Sequence, residues 1–301
     1  MPTVNNASYP YAQPAVSGSN ITVSTMLAQP TRITRYLSDL PMRNFISGMI
    51  FANTGDVSGG GVIYDQLTLN DLFSTRDVQN VEPGAEFPIV TSENAEPKFA
   101  PVEKYGGKFF VTDEARDRND QGVIQREGRK LINTIARKTD QKAIAALDAS
   151  IAAMSATQVI TGNNWNNVVT GGTSTSNATL WPAADFSKIQ LKADQTELGA
   201  APDLWIVNPA QLAQFNLVYG PAAGQVLAAF NVRMVASNRV AAGTAYVVEA
   251  GQVGEIRVEK PLSTETWREQ TTQRTWVQSD IRPVIFITNP YSVFKVTGLA
   301  G

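Results

Sequence analysis

The spacing of hydrophobic residues divides the chain into helical, strand-like and loop segments. Its strongest helical signal lies between residues 113 and 154, where apolar side chains recur three, four or seven residues apart. Acidic residues at the start of this segment complement a helix dipole, and we expect a break near Asn119. A helix of about 30 residues would be roughly 45 Å long, which is more than a single compact domain needs.

Polar and apolar residues alternate elsewhere, and this period of two predicts strands. The clearest strand is LWIVN at 204–208, and a helix is predicted to begin after it, near Pro209. A second helix is predicted over 186–198. Further strands are predicted over 61–71, 104–112, 232–240, 244–250 and 253–259, and in the stretch from residue 264 onwards. The chain is therefore predicted to have an α+β fold.

Two segments contain few residues suited to a hydrophobic core. Residues 1–31 have no charged side chain and are rich in Asn, Ser, Thr, Ala, Gln and Pro, which predicts an extended arm or a disordered terminus. Residues 73–103 contain four prolines, which prevent a helix and restrict strands to sheet edges. Because strand-like segments lie on both sides of this long loop, we expect a hairpin that projects away from the core.

Composition narrows the chemistry that is open to the chain. Its 301 residues include no Cys and no His, which excludes disulfides, thiolate nucleophiles, Cys-ligated zinc and catalysis by imidazole. The sequence contains neither a membrane-spanning apolar run nor the pattern of a secretory signal. We therefore expect a protein that is made in the cytoplasm, uses no metal or cofactor, and has a structural or binding role rather than an enzymatic one.

Charge is unevenly distributed, although the formal net charge is only −2. The predicted long helix carries a basic face formed by Arg126, Arg129, Lys130, Arg137 and Lys138. This face is either an ordinary solvated surface or a contact for packaged nucleic acid or an acidic neighbour. Nothing nearby predicts recognition of bases, so a nucleic-acid contact would be independent of sequence and sensitive to salt.

The proline-rich loop is acidic, and Glu82 and Glu86 lie in it. Arginines occur in the amphipathic stretch over 32–51 and in the loop itself, at Arg32, Arg35, Arg43 and Arg76. Opposite charges on one chain favour pairing between copies. We therefore predict that these six residues lie at contacts between subunits, with the acidic loop on a basic surface of a neighbour.

Three stretches of sequence and their order indicate a family. They are KYGGKFFVTDEA at 104–115, LWIVNPAQLAQF at 204–215 and WREQTTQRTWVQSDIRPVIFITNPYSVFKVTG at 267–298. Together with the arm, the hairpin and the long helix, they resemble the Hong Kong 97-type major capsid fold of tailed phages. The resemblance extends over about residues 30–300 and depends on order and spacing more than on any single motif.

The resemblance implies a division of the chain into four parts. Residues 1–55 would form the N-arm, and 56–112 an extended loop (E-loop) that lies over a neighbouring subunit. Residues 113–160 and 263–301 would form the peripheral domain, with the long helix as its spine, and 161–262 the axial domain.

The resemblance also implies partners and a location. Hexamers and pentamers would tile an icosahedral virion shell around double-stranded DNA, made in a bacterial host, with a portal protein as a further partner. Scaffolding would be separate or absent, because the first fifty-odd residues are too few for a helical scaffolding segment. Some members cross-link subunits through a Lys near the loop tip. Residues 73–97 contain no Lys, so no such cross-link is predicted.

Two alternative functions are weighed against this one. An encapsulin-type compartment would share the fold and enclose a cargo enzyme, but encapsulins tend to begin with a cargo-binding helix, unlike this N-terminal arm. A carboxylate-dependent hydrolase would need two carboxylates about 5–10 Å apart in a cleft. The sequence indicates no such pair.

Overall fold

The computed structural model describes residues 22–38, 46–68, 78, 80–89, 96–154, 157–171, 175–196 and 198–300. Its helices are α1 (Val23–Ala28), α2 (Pro30–Ser38), α3 (Ser47–Ile50), α4 (Asp113–Asp117), α5 (Gln121–Ala153), α6 (Pro182–Asp194), α7 (Pro209–Tyr219) and α8 (Ala223–Ala229). Its strands are β1 (Ala52–Asp56), β2 (Gly61–Tyr64), β3 (Lys98–Pro101), β4 (Tyr105–Thr112), β5 (Val159–Thr161), β6 (Leu204–Val207), β7 (Arg233–Ala236), β8 (Thr244–Val248), β9 (Gly254–Glu269), β10 (Arg274–Ile287) and β11 (Val293–Thr297). The predicted mixture of helices and strands is confirmed.

The chain forms two compact units. The first consists of residues 1–43, 103–138 and 258–283, and the second of residues 44–102, 139–257 and 284–301. Helix α5 and strands β9 and β10 contribute residues to both units. The division into N-arm, extended loop, peripheral domain and axial domain stays a prediction.

In the first unit, helices pack against one face of a sheet. Strand β4 pairs antiparallel with β10, from Arg274 opposite Thr112 to Ile281 opposite Tyr105, and β9 is the other neighbour of β10. The core between the layers is formed by Val23, Leu27, Ile33, Leu37, Phe109, Val111, Ile124, Ile132 and Val277. Helix α2 lies close to α5 at Gly128, where an added Cβ would lie 2.7 Å from the Leu37 side chain.

Residues 23–28 and 30–38 of the N-terminal arm are helical. The Thr22 side chain caps α1 by accepting a hydrogen bond from the backbone N–H of Thr25, and the Val23 N–H donates to Asn119 Oδ1 at 2.8 Å. The prediction of an extended arm is therefore wrong for Val23–Ala28, because the apolar side chains of α1 are buried in the core of the first unit. Asn119 itself has a φ of 53° and lies at the predicted break, between α4 and α5.

The second unit is built on a five-stranded sheet with the order β5-β11-β8-β6-β7. Strands β5 and β11 are parallel, as are β6 and β7, while β8 is antiparallel to both β6 and β11. Each residue of β6 is buried, because successive side chains enter cores on opposite faces of the sheet. Leu204 and Ile206 pack with Leu147 of α5, whereas Trp205 and Val207 belong to an aromatic core. The predicted buried strand is confirmed.

Sequence-encoded caps position the helices around this sheet. Asn208 Oδ1 accepts a hydrogen bond from the Ala210 N–H at 3.0 Å, and Pro209 occupies the first turn of α7 as predicted. The aromatic core beneath contains Trp165, Phe186, Trp205 and Phe215, and the Phe186 and Trp205 rings meet edge to face at 4.7 Å. Trp165, Trp205 and Phe215 are among the largest fully buried side chains of the described chain.

A hairpin is present, but its second strand is not the predicted one. Strand β3 lies inside the predicted loop, whereas the predicted strand over 104–112 is β4, which pairs with β10 instead. Strands β2 and β3 pair antiparallel, with Val62 opposite Ala100 and Ile63 opposite Phe99. Val62 and Ala100 pack against β10, and the Tyr64 ring lies 4.8 Å from that of Phe286. On the opposite face, Ile63 and Phe99 are 75% and 64% exposed. The strand predicted over 61–71 is shorter than expected and ends at Tyr64.

Asp140 provides a test of how the segment before α3 is held. This residue of α5 is buried, and its Oδ1 accepts hydrogen bonds from the N–H groups of Ile46 and Ser47 at 3.0 and 3.2 Å. Replacing Asp140 with Ala should lower the free energy of unfolding by about 1–3 kcal/mol, because two buried donors lose their acceptor. Asp140→Asn should lower it less, since the amide oxygen still accepts.

The same pair of variants tests a dependence on pH. Burial raises the pKa of Asp140, so its contribution to stability is complete below about pH 4 and is lost as the pH rises through the raised pKa. The free energy of unfolding of Asp140→Asn should therefore rise relative to that of the parent as the pH increases from 4 to 7, as measured by urea unfolding. Equal losses for the Ala and Asn variants at every pH would contradict this account.

The two faces of the hairpin predict opposite responses to the same substitution. Ile63→Ser should change the free energy of unfolding by less than about 0.5 kcal/mol, because the side chain is already in water. Val62→Ser should lower it by about 1–3 kcal/mol, because a buried apolar contact is lost and a hydroxyl is buried. Urea unfolding of the unassembled protein measures both, and equal effects would mean that the assignment of faces is wrong.

Candidate assembly surfaces

The extended loop exposes large apolar side chains. Ile63, Val78, Phe87, Ile89 and Phe99 are between 64% and 79% exposed. In the rest of the described chain, only Leu217 among the large apolar residues exceeds 60%. Isolated apolar residues on a surface need no explanation, but five in one loop are a concentration that the rest of the described chain lacks.

The predicted acidic residues lie in the same loop. Glu82 and Glu86 are both exposed, and neither forms an ion pair within the described part of the chain. A turn lies between them, in which the Ala85 N–H donates to the Glu82 carbonyl oxygen at 3.0 Å. Segment 80–89 therefore presents two carboxylates beside the exposed side chains of Phe87 and Ile89.

The predicted basic residues are exposed wherever they are described. Arg32 and Arg35 lie on the outer side of α2, whereas Arg43 and Arg76 lie outside the described residues. The basic face is solvent-exposed along the first half of α5, at Arg126, Arg129, Lys130, Arg137 and Lys138. Lys130 forms a surface ion pair with Glu127 at 2.7 Å. All seven described cations belong to the first unit, but their proposed roles at contacts stay predictions.

A further surface, which the sequence analysis did not predict, lies on the outer side of the sheet in the first unit. We call it the aromatic–cationic face, and it consists of Lys108, Phe110, Trp267, Arg274 and Trp276. The Trp267 and Trp276 rings are stacked, with centroids 6.3 Å apart and planes inclined by 22°. The Lys108 ammonium lies 4.4 Å from the Trp276 centroid, and the Arg274 guanidinium lies 4.5 Å from the same centroid.

Strand pairing explains why these side chains meet. Phe110 of β4 lies directly opposite Trp276 of β10, and Gln278 lies opposite Lys108. Alternate residues of a strand point to the same face, so Lys108 and Phe110 share the outer side while Phe109 enters the core. A sequence signal existed in the adjacent phenylalanines at 109 and 110, since one of two neighbouring strand residues must face outwards.

The two cations on this face have different electrostatic surroundings. Glu269 accepts hydrogen bonds from Arg274 Nε at 2.6 Å and from Trp276 Nε1 at 2.8 Å. These donors, Arg274 foremost, lower the pKa of Glu269 to about 2. Lys108 instead has no carboxylate partner in the described ranges, and its ammonium lies over the two indole rings. Phe110 and Trp267 remain 44% and 40% exposed beside it.

The described residues contain neither a membrane-spanning helix nor a cluster of metal ligands. In the ranges that the structure describes, no helix is long and apolar enough to cross a membrane. Nor do these ranges contain a group of three or more acidic residues placed to hold a metal ion.

Comparison with known proteins agrees with this architecture. Residues 95–296 match the family described as phage capsid protein. No curated protein matches the chain.

Solved structures show the same fold at low sequence identity. A virus-like particle from Pyrococcus furiosus is 13% identical with a TM-score of 0.59, covering 88% of this chain and 96% of that one. The capsid of cyanophage P-SCSP1u is 15% identical with a TM-score of 0.57, covering 84% and 87%. A structure from Mycobacterium phage Cain is 15% identical with a TM-score of 0.58, covering 82% and 88%. The chain therefore belongs to the phage capsid protein family and has the Hong Kong 97-type fold of tailed-phage major capsid proteins.

Proposed function

We propose that this capsid protein assembles into hexamers and pentamers that form the icosahedral head of a tailed phage around double-stranded DNA. The observation that carries the proposal is the group of five exposed apolar side chains in the extended loop. Water is a poor environment for such a group, and a neighbouring subunit would remove it from water.

The magnitudes favour a closed assembly over a single pairwise contact. Full burial of one large apolar side chain contributes about 1.5–3 kcal/mol, so five of them contribute roughly 7–15 kcal/mol. Association of two proteins costs an estimated 4–15 kcal/mol in lost freedom of motion. Burial of one loop would therefore do little more than offset the freedom of motion lost in one pairwise association. In a shell, every subunit covers a neighbour with its own loop and is covered by the loop of another. Each subunit then makes several contacts, although its freedom of motion is lost only once.

The basic face of α5 supports a non-specific contact with packaged DNA. Its five cations are exposed along one helix, and sequence-independent binding needs only such phosphate contacts. A portal protein and a separate scaffolding protein complete the set of proposed partners, and we propose that the subunits are made in the host cytoplasm before they enter the virion. The proposed role is structural, without catalysis.

A cargo-enclosing compartment of the encapsulin type is the second candidate. The observation that favours it is the structural likeness to the virus-like particle from Pyrococcus furiosus. The shared fold does not separate a phage head from such a compartment, so the contents of the particles must do so. The carboxylate-dependent hydrolase gains no support from the family match.

Electron microscopy of the purified protein tests the proposal directly. We expect size-exclusion chromatography to give a fraction far larger than a small oligomer, and negative-stain images of that fraction to show closed icosahedral particles. Particles from infected cells should contain double-stranded DNA that resists nuclease until the shell is opened. A protein that remains a monomer or small oligomer would refute assembly, and particles enclosing one enriched enzyme would favour the compartment.

Reversal of the two loop charges tests the predicted role of the acidic segment. Glu82→Lys with Glu86→Lys should lower the yield of particles at least about tenfold, because like charges would then face a basic surface of the neighbour. Glu82→Gln with Glu86→Gln is the matched control, and its yield should fall between those of the parent and the Lys variant. Since both residues are exposed, urea unfolding of the unassembled chain should be unchanged. A parental yield from the Lys variant would refute the contact.

A further inference from the structure

We propose that the aromatic–cationic face of one subunit is the docking site for segment 80–89 of a second copy of the chain. The inference rests on the proposed assembly and identifies which two surfaces meet within it. Four observations support it: the face is organised in advance, it is only partly covered by the described residues, the segment complements it in charge and apolar character, and the obvious competing occupants are repelled.

The face is organised before any partner arrives. Its side chains lie on paired strands, and hydrogen bonds from Arg274 and Trp276 to Glu269 fix two of them in place. The Arg274 guanidinium also lies 5.1 Å from the Phe110 centroid, so it braces both rings. A surface held in this way loses little side-chain entropy on binding, which favours affinity.

The face is also incompletely satisfied. Phe110 and Trp267 are 44% and 40% exposed, although their partners in the sheet are in place. The Lys108 ammonium lies over two indole rings without a carboxylate partner in the described residues. Tryptophan and arginine are the residues that most often dominate binding energy at protein interfaces. A ligand for this face should therefore offer apolar groups and one or two carboxylates.

Segment 80–89 has this composition. It contains Glu82 and Glu86 and no basic residue, and Phe87 and Ile89 are 79% and 73% exposed. Its two prolines, at positions 83 and 88, restrict the backbone, so less entropy is lost when the segment docks. Proline-containing segments bind surfaces lined by aromatic rings for the same reason. A carboxylate of the segment would supply the partner that Lys108 lacks, while Phe87 would cover an exposed ring.

Competing occupants from the same chain fit less well. Two aromatic–cationic faces pressed together would bring Lys108 against its own copy, and like charges repel. The basic face of α5 would meet Lys108 with the same unfavourable sign. Among the described surfaces, the segment around Glu82 and Glu86 combines exposed apolar side chains with unpaired negative charge.

The absence of cysteine from the chain allows a specific cross-linking test. One chain would carry Ala85→Cys and a second chain Gln278→Cys, which lies on the outer side of β10 opposite Lys108. Neither substitution removes a charged or aromatic side chain of the proposed contact. A disulfide needs Cα atoms about 4.4–6.8 Å apart, so it reports close approach. After the two chains are assembled together and oxidised mildly, we expect a disulfide-linked dimer on a non-reducing gel, with the joined peptides identified by mass spectrometry.

Matched controls locate the contact. Each single-cysteine chain assembled alone should give little dimer, and Ala85→Cys mixed with Gln141→Cys, an exposed position on α5, should also give little. Because each chain carries a single introduced cysteine, any disulfide between positions 85 and 278 must join two copies. Particles that form normally without this cross-link would overturn the inference and leave the proposed function standing. Failure of the parent chain to form particles would instead overturn the proposed function.

A charge exchange keeps the test decisive if the cysteine variants assemble poorly. Lys108→Glu alone should lower particle yield at least about fivefold, because it places a carboxylate opposite the acidic segment. Combining Lys108→Glu with Glu82→Lys and Glu86→Lys in one chain should restore at least half of the parental yield. Additive losses without rescue would show that these charges do not meet.

Discussion

Helix α5 contributes side chains to the hydrophobic cores of both units, and the rest of the structure depends on this shared element. Its first half places Ile124 and Ile132 in the core of the first unit, and its second half places Ile144 and Leu147 in that of the second. At 33 residues it is about 50 Å long, well beyond the mean helix length in globular proteins. Such a helix is stabilised by tertiary contacts along its length rather than by propensity alone.

The chain divides its apolar residues between folding and contact. Three cores, one in the first unit and two on opposite faces of the sheet in the second, bury the side chains that alternate on β6 and recur along α5. The described residues between β2 and β3 have no comparable core of their own, and only the base of the hairpin, at Val62 and Ala100, packs on β10. Under the proposed assembly, the residues that associate are not those that hold the fold, so one polypeptide could fold first and associate afterwards.

Much of this architecture could be predicted from local sequence patterns. The period of α5, the break at Asn119, the doubly buried strand LWIV and the Asn208-Pro209 helix start all depend on residues close in sequence. Helix α1 was missed because its Ser, Thr and Ala residues have the composition of a disordered arm, and only burial of Val23 and Leu27 in a distant core makes them helical. Local composition does not contain that information.

The aromatic–cationic face was missed for a related reason. Its residues come from three strands, and Lys108 and Trp276 are more than 160 residues apart in sequence. The register between β4 and β10 decides which side chains share a face, and register depends on the whole sheet. The separate charges could be predicted, as for Glu82 and Glu86, but the grouping of Lys108 with the rings of Trp267 and Trp276 could not.

The neighbouring residues Phe109 and Phe110 show how the alternation of side chains along a strand affects the evolution of such a protein. One ring lies in the core and the other is 44% exposed on the opposite face of the sheet, although a single peptide bond separates the two residues. Selection for a stable subunit constrains position 109, whereas position 110 can change together with the surface that contacts it. Lineages of this protein can therefore diversify their outer surfaces while the scaffold beneath stays the same, which is how a fold persists when sequence identity has fallen to little more than a tenth.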